Sequence, residues 1–202
     1  MPGEEVATFW NKMKVNILDH GLMAKTGHHF DYCHSIASHL IDRGAMVNVC
    51  AFQGAQADVG DAFRALGCGF SPNFSRSAYT PPKFGAHAHQ ELTAIASQTA
   101  SEMEVTTGAD FWVFPTLTAD HLLAFAQTRN SPQMVGLAHA EPHAQHARGG
   151  RAWALGCETI LQRGLNVRIG AVDPLMRDYL QTYSAGLPIV NMPIPVHGAM
   201  RT

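Results

Sequence analysis

The sequence predicts an α/β fold, Rossmann-like and doubly wound, with a mostly parallel sheet of about six or seven strands and helices on both faces. Three observations carry this. A β-loop-α-β unit opens the chain between Lys14 and Phe52, and about six short apolar runs then alternate with helical stripes. Phe111-Trp112-Val113-Phe114 is apolar without a break, as expected of a parallel strand covered on both sides.

The first strand carries Val15, Ile17 and Leu18 and ends at Asp19-His20-Gly21. A loop closes on Thr26-Gly27-His28-His29. Phe30, Cys33, Ile36, Ala37, Leu40 and Ile41 then recur at the spacing of one helical stripe, and Gly44 sits where a glycine ends a helix at C′. Met46 to Phe52 is the second strand and Ala57 to Leu66 a short helix. The Gly/Ser/Pro-rich passage from Gly67 to Gly85 has no strong period and reads as an ordered loop or ligand-side insertion.

From His87 to Thr106 a polar-alanine helix places Leu92, Ile95, Ala96, Thr99 and Met103 on one side. The apolar run at 111–114 ends at Pro115. Ala119 to Gln127 reads as a helix, Met134 to Ala138 as a strand, and about Ala147 to Arg163 as a helix. Val167 to Val172 and Pro188 to Met192 are the last strands, with a helix at Pro174 to Tyr183 between them. Asp173 can cap that helix, and Pro174 suits its first position. The whole reads as one domain over 14–195, with an N-terminal extension at 1–13 and a tail at 196–202.

Composition excludes several classes. With 14 basic and 16 acidic residues there is no electrostatic footprint for nucleic acid, and no apolar run reaches the roughly 18 residues of a membrane span. The acidic Met1-Pro2-Gly3-Glu4-Glu5 start is unlike a signal peptide. Cys33, Cys50, Cys68 and Cys157 show no C-x-x-C spacing, so they read as buried free thiols in a reducing cytoplasm.

In doubly wound sheets ligands sit outside the carboxyl ends of the strands. That rule places Asp19-His20-Gly21, Phe52-Gln53-Gly54, Pro115-Thr116, His139-Ala140-Glu141 and Asp173 on one rim. Thr26-Gly27-His28-His29 opens a helix whose free N–H groups favour an anion; the plainer alternative is that Thr26 caps the helix and Gly27 relieves a turn. Gly21 and Gly27 lie six apart without the G-x-G-x-x-G spacing, so a self-sufficient dinucleotide site is not expected. His28 and His29, about 100° apart on a helix, should not share a face.

His139 to His146 is the richest polar segment. His139 or Glu141 could act in acid/base chemistry, with His139 best placed. A metal site of His143, His146 and Glu141 is the other reading, weakened by Pro142 and the absence of H-E-x-x-H. His20, His34, His39, His87, His89, His121 and His197 read as structural or surface residues. Cys157 has no evident base partner and no serine lies in a G-x-S-x-G elbow.

Val15-Asn16-Ile17-Leu18-Asp19, then Gly27-His28-His29-Phe30-x-Tyr32, and Arg43-Gly44 before a strand resemble the first unit of GT-B glycosyltransferases of the family 4 type. Phe114-Pro115-Thr116, Val135-Gly136-Leu137-Ala138-His139 and Pro193-Ile194-Pro195 resemble later parts of the N-terminal, acceptor-side domain. Ala45 departs from the histidine usual after Arg-Gly, and the loop from Gly21 to Gly27 is longer than the compact Gly-Gly turn. The resemblance implies sugar transfer from a nucleotide-sugar to an acceptor hydroxyl, with a sugar or lipid as acceptor and no cofactor or resident metal.

It further implies that Gly21, Gly27, His28, His29 and Thr116 bind ligand and that His139 and Glu141 are catalytic. It implies a cytoplasmic location, or one peripheral at the inner face of a membrane. Such enzymes pair two Rossmann-like domains, so a donor-binding half is expected from a second chain or a homo-oligomer. A non-catalytic sugar- or anion-binding scaffold and a metal-dependent enzyme using the 139–146 cluster are the alternatives.

Overall fold

The computed structural model describes residues 13–80, 84, 85, 87–105, 108–138, 140, 142–145 and 148–192. Among the described residues seven strands form one sheet: β1 (Lys14–Asp19), β2 (Met46–Phe52), β3 (Gly69–Phe74), β4 (Phe111–Phe114), β5 (Gln133–Ala138), β6 (Val167–Ala171) and β7 (Ile189–Asn191). Their spatial order is β3-β2-β1-β4-β5-β6-β7 and every pairing is parallel. The helices are α1 (His28–Ile41), α2 (Ala57–Ala65), α3 (Ala88–Glu104), α4 (Ala119–Phe125), α5 (Pro142–Gln145), α6 (Gly149–Arg163) and α7 (Pro174–Gln181).

Side chains that alternate along the strands feed two cores. Val15, Ile17, Val47, Val49 and Ala51 pack with Cys33 and Ala37 of α1 and Val59 and Phe63 of α2. Leu18, Cys50, Trp112 and Phe114 pack instead with α3, α4, α6 and α7 through Leu92, Leu122, Trp153 and Leu180. The sheet is therefore covered on both faces, and β1, at its centre, is buried at every position after Lys14.

The stripe read in α1 is the buried one: Cys33 and Ala37 are fully enclosed, and Phe30, Ile36, Leu40 and Ile41 pack against the same core. Gly44, at φ +86°, makes the left-handed turn that ends the helix, and the Ala45 N–H donates to the Leu40 carbonyl at 3.0 Å. Asp173 caps α7 through a 2.8 Å bond from the Met176 N–H, with Pro174 in the first turn. All four cysteines are free and buried.

One strand was not visible in the sequence. The passage read as a loop from Gly67 contains β3, an edge strand paired among the described residues only with β2. Its half-exposed side chains show no alternation, and Pro72 is tolerated because an edge strand has one side free of ladder bonds. The register shifts just beyond Pro72. The short α5 was also unforeseen, and several helices end one or two residues earlier than read.

Candidate functional site

β1 neighbours both β2 and β4, so the chain order reverses there, and doubly wound sheets take their ligands beyond the carboxyl ends of the strands at such a reversal. Asp19 is the last residue of β1 and wholly enclosed. Its carboxylate accepts a 2.8 Å bond from the Gly21 N–H and stands 2.8 Å through both oxygens from His29 Nδ1. The Cys33 thiol points at it from 3.6 Å, and the Thr116 hydroxyl bonds to it as well, lying 3.3 Å from the same His29 nitrogen.

Burial by itself would raise the Asp19 carboxyl. The bond and charge of His29, then the Gly21 N–H and Thr116 hydroxyl, outweigh burial and hold it below the ordinary carboxylate value. An ionised carboxylate only accepts, so His29 Nδ1 carries the hydrogen in this arrangement. In the neutral ring Nε2 then keeps the lone pair. Burial pushes the Cys33 thiol well up, aided by the Asp19 charge, so Cys33 is a donor to that carboxylate rather than a nucleophile.

His29 reaches Asp19 because α1 begins one residue earlier, after Gly27 at φ +90°. The cap position belongs to Gly27 and makes no side-chain bond, which replaces the reading of Thr26 as the cap. Gly21 is required by close approach: a Cβ there would lie 2.1 Å from Cε1 of the His29 ring. Leu22 N–H and Asp19 carbonyl, 3.2 Å apart, tighten the turn.

Of the residues assigned to ligand binding, the structure thus brings Gly21, His29 and Thr116 together around Asp19. Gly27 and His28 adjoin them. The two histidines part as anticipated, His29 buried and His28 exposed, yet their rings still touch, with centroids 4.2 Å apart. Burial and the His29 charge lower the His28 imidazole, partly offset by Asp19 and Asp31. His139, Glu141 and His146 lie outside the described residues. Of His143 only the backbone, in α5, is described. Among the described residues no group of three or more histidine, cysteine or acidic side chains could hold a metal ion.

A second pair escaped the sequence reading. His20 and His121 are both enclosed, their rings 4.1 Å apart and bounded by Phe74 and Phe114. Among the described residues, His20 Nε2 and both His121 nitrogens make no hydrogen bond of normal geometry. Burial pushes His121 down to about 4, against the pull of Asp19 and Asp120, and His20 well down, so both rings are neutral near pH 7. Beside them Arg76 donates to Asp120 at 2.6 Å. Histidines in mixed segments such as Thr118-Ala119-Asp120-His121 look solvated in one dimension, because nothing local reveals that α4 is buried at all seven positions. For Asp19 a signal did exist: an acidic residue closing a buried strand.

The parallel seven-stranded sheet with this reversal is a Rossmann-type α/β fold. It is similar to the crystal structure of the glycotransferase of kitacinnamycin, with a TM-score of 0.51 and 12% identity, covering 95% of this chain and 53% of that one. The chain thus spans about half the length of that structure. No family model matches the sequence. No curated protein matches it either. Among the described residues no helix is long and apolar enough to cross a membrane.

Proposed function

We propose that this chain is the acceptor-side domain of a GT-B-type glycosyltransferase, related to family 4, that transfers a sugar from a nucleotide-sugar to an acceptor hydroxyl. The observation that carries the reading is the buried Asp19 carboxylate fixing His29 Nδ1 at the point where the strand order reverses. A ring held this way turns Nε2 to the work of a general base. The acceptor O–H gives its proton to His29 Nε2 while its oxygen forms a bond to the anomeric carbon. The bond from that carbon to the diphosphate breaks, and the nucleoside diphosphate leaves with the electron pair.

Within this scheme Asp19, Gly21 and Thr116 position His29, and Gly27 and His28 line the diphosphate side. The loop is open above Gly27, where an added Cβ would meet nothing among the described residues within 4 Å. A donor-binding domain supplies the rest of the nucleotide-sugar site, in keeping with a match over about half of the solved transferase. His139 and Glu141, proposed as catalytic from the resemblance, would then orient the sugar or acceptor.

Calorimetric titration with UDP- and GDP-sugars, alone and with a candidate donor-domain chain, tests this alongside turnover assays. His29→Gln is expected to lower transfer by about 10²- to 10⁴-fold while leaving donor affinity nearly unchanged. Transfer at the wild-type rate by that variant, or no transfer from either donor with the second domain present, overturns the proposal.

A further inference from the structure

His29 does not sit alone at the strand ends. Tyr79 meets its ring edge-on at 5.5 Å and 72°, and remains 63% exposed. On another side the His28 ring lies against His29, with Tyr32 5.6 Å beyond His28. The turn that carries Tyr79 is pinned to the β1–α1 loop. Ala78 N–H donates to the His20 carbonyl at 3.2 Å, and the Ser77 hydroxyl to Met23 sulfur at 3.1 Å. The Tyr79 N–H itself donates to the Ser77 hydroxyl at 3.2 Å, and the Thr80 N–H to the Ser77 carbonyl at 3.1 Å.

A large aromatic ring carried on a pinned turn and left in water beside a buried imidazole–carboxylate pair is a surface suited to a ligand. We infer that the acceptor is a flat aromatic alcohol, a phenol, whose ring packs on Tyr79 and the His28 edge of the site and whose hydroxyl meets His29 Nε2. This rests on the reading of His29 as the base. Planar rings gain from offset or edge-on contact with Tyr79, which an aliphatic alcohol cannot match. A phenolic O–H is also more acidic than an aliphatic one, so an imidazole can take its proton more readily during attack.

The test is binding without any donor sugar. Imidazole C–H resonances of the intact chain are followed by NMR at pH 6, with the His29 signals assigned through His29→Gln. 4-Nitrophenol is expected to shift the His29 signals and to bind about tenfold more tightly than cyclohexanol or methyl glucoside, the size of one aromatic contact. Tyr79→Ala should remove that advantage and Tyr79→Phe should keep it. Tyr79→Leu repeats the measurement should the alanine variant lose its native circular dichroism. The inference is overturned if methyl glucoside or cyclohexanol binds as tightly, if the advantage survives Tyr79→Ala and Tyr79→Leu, or if the His29 signals do not move. Because no sugar donor is present, a failure of transfer in the preceding assays leaves this result intact, and a failure here leaves the transfer reading standing.

Discussion

Asp19 gathers more of the site than any other side chain, and its replacement separates charge from shape. Asp19→Asn keeps the volume, but a carboxamide loses the charge and puts an NH2 in place of one of the two oxygens to which Gly21, His29, Thr116 and Cys33 all donate. A loss of about 3 kcal/mol is expected, read as a lower urea midpoint at unchanged slope. Gly21→Ala acts through contact instead. Its methyl group would fall on the His29 ring, so transfer should collapse while stability falls by about 1–3 kcal/mol. Comparing turnover with urea midpoints for the two variants distinguishes a displaced base from a loosened fold.

At the scale of elements, each cap and stripe is a separate wager that local chemistry makes against the rest of the fold. Asp173→Ala should cost about 1 kcal/mol through loss of the acceptor for the Met176 N–H, and thermal unfolding in buffer near neutrality measures it. That cap, the α1 stripe and the 111–114 strand were all legible, because each writes its environment into neighbouring residues. β3 was not, since an edge strand half in water needs no alternation and can hold Pro72.

The site divides in the same way. Asp19, Gly21 and Thr116 stand at or just past strand ends, so the rule for parallel sheets put them on one rim, whereas His29 was marked only by the helix start after Gly27. The pairing of Asp19 with His29, ten residues apart, depends on the path of the intervening loop. No periodicity encodes that path. The burial of His20 and His121 is set by β3, β4 and α4 meeting around them through Phe74, Phe114 and His121 itself, a long-range event that sequence windows do not contain.

For the whole molecule, that enclosure predicts the response to acid. Unfolded histidine takes up a proton below about 6.5, whereas folded His121 resists until about 4 and folded His20 lies well below its usual value. Between these limits the unfolded chain binds more protons, so stability falls as pH falls, by about 1.4 kcal/mol per pH unit for each ring. Asp19 adds a later loss. Its folded value lies below the ordinary one, so its contribution is full above the unfolded carboxylate value and disappears as pH drops through the folded one. Urea midpoints from pH 7 to pH 4 should therefore decline steadily. His121→Phe, which suits the Phe74 and Phe114 surroundings, should shallow the decline by about half.

The contact between Gly21 and the His29 ring reaches beyond this one molecule. A Cβ at position 21 and an imidazole at position 29 compete for the same few cubic ångströms, so neither position can drift independently. Descent should preserve them as a linked pair: relatives that gain a side chain at the first position should have lost the histidine at the second. A set of homologous sequences in which the two vary independently would show that the ring can settle elsewhere, and that inheritance has not been guarding this geometry.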